Sequence, residues 1–311
     1  MAGKKLNTID LLSVPMFIGT MVAEAAYLKN KPKRVLGDMY DATPDQLSGR
    51  QMPPDELIPL GYERRDTKAS LSMLIGNITI AFATAAAISK LDRFVFKHRI
   101  SNIGSRRGSI VGAMVLWDFL YYWDHRWMHE IRFFWANHVT HHSGERYNLS
   151  TALRQPWSGI ITAPIFAPLP LLGFPAATSM RAGQLNLLYQ YWIHTEAIDR
   201  LHPVAEKVLN TPSHHRVHHG ANQQYLDKNY GGILIVWDKL FGTFEPEVRR
   251  IKYGLTKNIR TYNPFRIAYH EYAELVRDVA TAKGIRNKWN YAFKHPGWKP
   301  AETLSVVPVA A

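Results

Sequence analysis

Three short histidine clusters, each placed beside the end of an apolar segment, constrain this chain more than any other feature. His125-Arg-Trp-Met-His129 closes the apolar residues 109–123, and His138-Val-Thr-His141-His142 begins nine residues later. His215-Arg-Val-His218-His219 follows two further apolar stretches, and His194 stands where the last of these ends. Side chains at i, i+3 and i+4 share one helix face. The first cluster therefore presents two imidazoles together, and each of the others three. Neutral imidazole is a ligand suited to Zn, Cu, Fe and Ni. One HxxxH alone is a weak signal, but nine grouped rings exceed the four positions of a structural zinc. The pattern predicts a polyhistidine site for two metals.

The carrier of these clusters reads as a membrane protein. The 311 residues are 46% hydrophobic and 20% charged, which excludes a disordered chain. With no cysteine, a disulfide framework, a thiol nucleophile and Cys-built zinc or iron–sulfur sites are excluded as well. Residues 69–89 run 21 positions without a charge, and 157–175 run 19. Residues 9–28 are interrupted by Asp10 and Glu24, and 176–193 by Arg181. A bilayer span takes about 20 mostly apolar residues; residues 109–123 are shorter and hold Asp118.

Four or five such segments predict an all-α integral membrane helical bundle with a His-rich catalytic cap. If 109–123 crosses once, and 157–193 forms a hairpin kinked at Pro164, Pro168, Pro170 and Pro175, every cluster reaches one face. Residues 9–28, preceded by Lys4-Lys5, are too long for a cleavable signal and read as a span or anchor.

The formal charge of +13 is concentrated late: residues 249–299 hold 12 Lys+Arg against 3 Asp+Glu. Nothing resembles a nucleic-acid-binding motif. The basic residues alternate with Trp289, Tyr291, Phe293 and Trp298, a composition suited to anionic headgroups and a cytoplasmic C-terminus. The cap is accordingly placed on the cytoplasmic side, although the equally basic linker 90–107 pulls the opposite face that way too. The chain divides into an anchor and linker region (1–108), a catalytic region (109–250) and a basic tail (251–311). Gly231-Gly232 and Gly242 form no dinucleotide fingerprint, so electrons must come from outside.

HxxxH, HxxHH and HxxHH in this order on apolar helices resemble the sterol desaturase/fatty acid hydroxylase superfamily. Glu130, Asn148-Leu-Ser-Thr-Ala-Leu-Arg-Gln155, Asn210-Thr-Pro-Ser-His-His-Arg-Val-His-His-Gly220 and Asp227-Lys-Asn-Tyr-Gly-Gly232 resemble its alkylglycerol monooxygenase branch. Trp237-Asp-Lys-Leu-Phe-Gly-Thr-Phe244 and Tyr253-Gly-Leu-Thr256 continue the likeness. The resemblance covers about residues 109–250. It implies a membrane-bound non-haem diiron oxidoreductase that uses O2 and external electrons to hydroxylate or desaturate a lipid C–H bond.

On that resemblance His125, His129, His138, His141, His142, His215, His218 and His219 are iron ligands, His194 is a ninth, and His214 is a ligand or a neighbour that supports one. Asp124, Glu130 and Asn148 are the groups offered to hold ring N–H positions. His98, His202, His270 and His295 fall outside the pattern and are expected at the surface or at interfaces. Implied too are two Fe ions, a membrane lipid substrate and an electron donor that is a ferredoxin, a cytochrome or a pterin. The branch continues through further spans where this chain stops, so a sterol or fatty acyl lipid fits as well as an ether lipid. Two readings from other classes stay open. A membrane zinc hydrolase would use fewer ligands and keep an open position. A metal transporter would place its ligands at the bilayer midplane rather than beside the spans.

Overall fold

The computed structural model describes residues 8–29, 60–106 and 108–300. Lys4-Lys5, most of the polar stretch 29–68, Arg107 and the tail beyond 300 lie outside the described residues. Within them the fold is all-helical, and the one β pairing is an isolated bridge between Leu209 and Leu234. In chain order the helices are α1 (Thr8–Lys29), α2 (Arg64–Lys97), α3 (Ser109–Glu130), α4 (Arg132–His142), α5 (Pro168–Leu171) and α6 (Ala176–Ile193). They continue as α7 (Pro203–Val208), α8 (Pro212–His218), α9 (Val236–Phe241), α10 (Pro264–Thr281) and α11 (Ile285–Phe293).

Local chemistry sets the helix ends that matter here. Glu63 starts α2 by accepting a hydrogen bond from Asp66 N at 2.7 Å, and Asn263 does the same for α10 through Arg266 N, with Pro264 in the first turn. A single extended residue, Ile131 (φ −121°, ψ 117°), separates α3 from α4. The first two histidine clusters therefore meet at a corner instead of lying along one rod.

Among the described residues one helix, α2, is long and apolar enough to cross a membrane. Its Ile75, Phe82 and Phe94 are each more than 60% exposed. The stretch 157–175, the first arm of the hairpin expected over 157–193, is instead a run of short turns: Gly159–Ile161, Ala163–Phe166 and then α5. The reason is proline. Pro164 and Pro168 sit in the first positions of successive turns, where the missing N–H costs nothing, and each ends the helix before it.

α3 packs along α6, and Ala113, Leu120, Leu169, Phe174 and Ala182 form the core between α3, α5 and α6. Gly183 permits this approach, since a Cβ there would stand 2.8 Å from Trp117 Nε1. Asp118, the acid within an otherwise apolar segment, is a buried knot. It accepts from the backbone N–H groups of Ile233 (2.6 Å) and Leu234 (3.1 Å), from Trp237 Nε1 (2.8 Å) and from Asn186 Nδ2 (2.6 Å). It thus ties the loop before α9 to α3 and α6. On the other side α10 packs against α4 and α11.

Candidate metal centre

The helices bring nine imidazoles into two adjoining groups. His125 and His129 from α3, His138 and His142 from α4, and His218 from α8 form the first; their ligand atoms all lie within 4.8 Å of one another. His141 from α4, His194 at the end of α6, His215 from α8 and His219 just after it form the second on the same terms. The HxxHH spacing thus splits across the pair: His138 and His142 turn to one group and His141 to the other. All nine rings are buried.

Backbone carbonyls fix the protonation of several rings. A carbonyl oxygen can only accept, so the facing Nδ1 must carry the proton. This holds for His125 against Tyr230 O (2.8 Å), His194 against Gln190 O (2.7 Å), His218 against Lys228 O (3.0 Å) and His141 against Arg154 O (3.4 Å). Each Nε2 then keeps its lone pair. The Nε2 atoms of His141 and His194 lie 3.1 Å apart, so two lone pairs face each other. Such a pair is repulsive unless a cation stands beside both. Metal–imidazole bonds of about 2.1 Å at right angles place neighbouring nitrogens about 3 Å apart, which matches the separations of 2.9 to 3.1 Å seen here. Buried Nε2 atoms of His129 and His219 have no hydrogen-bond partner either. The donor set fits two metal ions that prefer neutral nitrogen.

Electrostatics keep most of these rings neutral. Burial first, and then neighbouring imidazoles, push His138, His142, His215, His218 and His219 far below the ordinary value of 6.5. His141 is lowered in the same way, with the Arg154 carbonyl opposing.

Two buried arginines brace the scaffold. Arg154 donates to Thr140 O (3.1 Å), Ser143 Oγ (3.0 Å) and Asp66 Oδ1 (3.2 Å), which secures the end of α4 to α2. Arg216, between His215 and Val217, donates to Glu247 and to the carbonyls of Thr195, Ile198 and Asp199.

The remaining sequence-derived residues fall in several places. Asp124 is buried, and its Oδ1 has no hydrogen-bond partner. Glu130, offered as a holder of a ring N–H, accepts instead from Arg126 Nε at 2.9 Å. Asn148 also turns away from the rings: its Oδ1 accepts from Ser150 and its Nδ2 donates to Gly61 O. His214 belongs to neither group, because its Nε2 meets Glu206 at 3.0 Å and its Nδ1 meets Leu209 O. Burial would raise the Glu206 carboxyl, but the His214 pairing together with hydrogen bonds from the Leu201 backbone N–H and Ser213 draws it down to about 2. His98 and His270 contact carbonyls of their own helices, and His202 caps α7. His295 is half exposed and meets Asp227 at 2.8 Å.

Sequence reasoning did not single out Asp227 as a site residue, yet it stands 3.6 Å from His129 Nδ1. The only signal was its place in the motif 227–232. The supporting carbonyls of Arg154, Gln190, Lys228 and Tyr230 carry no sequence signal, because every residue has one.

A cavity of about 450 Å³ opens beside the second group. His138, His141 and His194 line it, together with Asp124 and apolar side chains of α1, α2, α3 and α6.

The fatty acid hydroxylase family model matches residues 110–243, the stretch that supplies all nine rings. The chain is 51% identical to the alkylglycerol monooxygenase of Homo sapiens over 186 residues, which is 60% of this chain and 41% of that protein. It is 49% identical to the alkylglycerol monooxygenase of Danio rerio over an equal share of each. More distantly, it is 29% identical to ornithine lipid hydroxylase OlsE of Rhizobium tropici over 48% of this chain and 46% of that one. The chain thus spans about two fifths of the length of the alkylglycerol monooxygenases it matches. No solved structure matches the chain.

Proposed function

We propose that this chain is a membrane-bound non-haem diiron oxidoreductase that uses O2 and externally supplied electrons to hydroxylate a lipid C–H bond. The observation that carries the reading is the pair of five- and four-imidazole groups beside a largely apolar cavity. Iron bound by the two groups supplies O2 activation and the power to take hydrogen from an unactivated C–H bond. The protein's own groups do the rest. Carbonyls hold the rings in the tautomer that presents Nε2, the arginines fix the helix ends, and apolar walls orient a chain and keep water out. Nine nitrogens also favour this reading over a membrane zinc hydrolase, which takes fewer ligands.

Relatives named for hydroxylating ornithine lipid and dihydroceramide fatty acyl groups support hydroxylation over desaturation. Identity near 50% to alkylglycerol monooxygenases makes an alkylglycerol the first substrate to try, ahead of a sterol or fatty acyl lipid. α2 is the membrane crossing of the proposal, with exposed Ile18 and Val22 of α1, Val111 of α3 and Leu187 of α6 facing the same apolar medium. The basic residues 249–299 favour placing the histidine face on the cytoplasmic side. A ferredoxin, cytochrome or pterin donor completes the system.

The test uses the purified full chain in lipid nanodiscs with metal analysis, then ¹⁸O2, an alkylglycerol and each class of donor in turn. Two irons per chain and a product carrying one ¹⁸O are expected. A single tightly bound zinc with oxygen-independent turnover would overturn the reading.

A further inference from the structure

Asp124 and the rings of His138, His141 and His194 line one cavity. Most of the other polar side chains in its wall are already committed. Asn77 donates to Pro156 O (2.6 Å), Gln155 to Ala152 O (2.7 Å) and Gln190 to Asn186 Oδ1 (2.6 Å), while Asn137 accepts from Ser158 Oγ (2.6 Å). Asp124 differs. The residue is 4% exposed, and its Oδ1 is buried with no partner. A carboxyl oxygen in that state is unfavourable unless a donor reaches it. The apolar wall, which includes Leu74, Trp117, Leu153, Phe166, Leu187 and Leu188, suits a hydrocarbon chain. Methylene groups alone would leave the oxygen unsatisfied.

We propose that Asp124 is the specificity-determining residue of this cavity: its carboxyl accepts a hydrogen bond from a hydroxyl of the lipid beside the carbon presented to the histidines. The proposal rests on the lipid-hydroxylase reading and deepens it. A fixed acceptor on the wall of a largely apolar cavity sets the register of a sliding chain, so it bears both on which lipids enter and on which carbon faces the rings. A lipid whose hydroxyls are capped has no proton to give and loses that anchor. A hydrogen bond between uncharged partners is worth roughly 2–10-fold in affinity.

The experiment is equilibrium binding without O2, so that no turnover intervenes. Radiolabelled 1-O-hexadecylglycerol and its di-O-methyl ether are titrated into the full chain in nanodiscs, as wild type, Asp124→Asn and Asp124→Leu, with iron content measured on each sample. The wild type is expected to bind the free diol roughly 2–10-fold more tightly than the ether. Asp124→Asn, which keeps an acceptor oxygen, retains much of the preference. Asp124→Leu binds both lipids alike with iron content unchanged. Equal binding of the two lipids by the wild type, or a preference that survives in Asp124→Leu, would overturn the role of Asp124 and leave the lipid reading standing. Iron loss in Asp124→Leu would overturn it in favour of a metal-positioning role. Failure of the wild type to bind either lipid would sink both readings.

Discussion

Asp227 Oδ1 stands 3.6 Å from Nδ1 of His129, while its Oδ2 accepts a hydrogen bond from His295 Nε2 at 2.8 Å. One carboxylate thus faces a buried ring of the five-imidazole group on one side and a half-exposed ring after α11 on the other. Burial would raise the Asp227 carboxyl, but the hydrogen bond from His295 and the nearby His129 ring together hold it well below the usual carboxylate range. Its backbone is left-handed at φ 59°, a conformation that Asp and Asn tolerate better than most residues.

Asp227→Asn should therefore preserve the backbone turn and remove the charge beside His129. A carboxylate near the outer nitrogen of a ligating ring orients it and raises its basicity, and such losses cost about 10–100-fold in metal affinity. Iron retention against a competing chelator should fall by that order in Asp227→Asn, with the thermal midpoint nearly unchanged. Asp227→Ala should lose more iron and some stability as well. Wild-type iron retention in both variants would remove Asp227 from the metal's environment.

The split of the rings makes a sharper prediction than loss of activity. His129 and His218 belong to the five-ring group and His141 to the four-ring group. Each of His129→Ala, His141→Ala and His218→Ala should abolish lipid turnover, since an opened coordination sphere misplaces the oxidant. Iron content should drop from two per chain towards one. His214→Ala should keep both irons, because that ring meets Glu206 and Leu209 O. Measurement of iron per chain alongside turnover separates these outcomes.

The sequence made the histidines legible because helical spacing is a property of the primary structure: i, i+3 and i+4 put the rings together whatever else the chain does. All-helical architecture followed from the same periodicity and from scarce strand signals. Asp227 was hidden, because contact with His129 spans 98 positions and depends on a left-handed turn that no local pattern announces. Glu130 misled for the opposite reason. It is adjacent to a ring in sequence, but one step along a helix turns a side chain by about 100°, and Arg126 waits on that face. Hydropathy likewise marked 157–175 as uncharged without showing how its prolines would divide it into turns.

The membrane reading predicts resistance to extraction. α2 exposes Ile75, Phe82 and Phe94 over a length that few soluble surfaces would carry. Alkaline carbonate and high salt strip proteins held by charge, so the chain should remain in the membrane pellet and move to the supernatant only with detergent. Soluble recovery after carbonate would rule out α2 as a crossing.

Arg216 supplies a stability prediction. Its guanidinium is fully buried, and Glu247 is its acidic partner, with Nη2 2.6 Å from Oε2. Removal of one partner from such a pair leaves a charge stranded and costs about 3–5 kcal/mol. Three carbonyls also receive Arg216, so Glu247→Gln should fall at the lower end, about 3 kcal/mol. Glu247→Ala should cost more. A fall in the thermal midpoint, with iron per chain unchanged in the surviving folded fraction, is the expected result; an unchanged midpoint would show that the carbonyls alone suffice.

Asp278 links the stability of the histidine-bearing α4 to pH. Arg132, the first residue of α4, is buried and places Nη1 2.6 Å from Asp278 and Nε 2.8 Å from Glu271, both on α10. Lys299 adds a third contact at 3.2 Å. Burial alone would raise the Asp278 carboxyl, but the hydrogen bonds and charges of Arg132 and Lys299 prevail and hold it below the ordinary value of 3.8. A group depressed in the folded state stabilises it fully above the unfolded-state value, and that contribution is lost as pH falls through the folded-state value. The clamp between α4 and α10 should therefore be intact at neutral pH and weaken only in acid below about 3.8. Asp278→Asn removes the dependence. At pH 7 the variant should be less stable than wild type by about 1 kcal/mol, since Glu271 still holds Arg132. Below pH 3.8 the two should converge as the wild-type carboxyl takes up its proton. Thermal midpoints of both proteins from pH 3 to pH 7 test the sign directly: a gap that widens towards acid would mean that the Arg132–Asp278 contact does not stabilise α4.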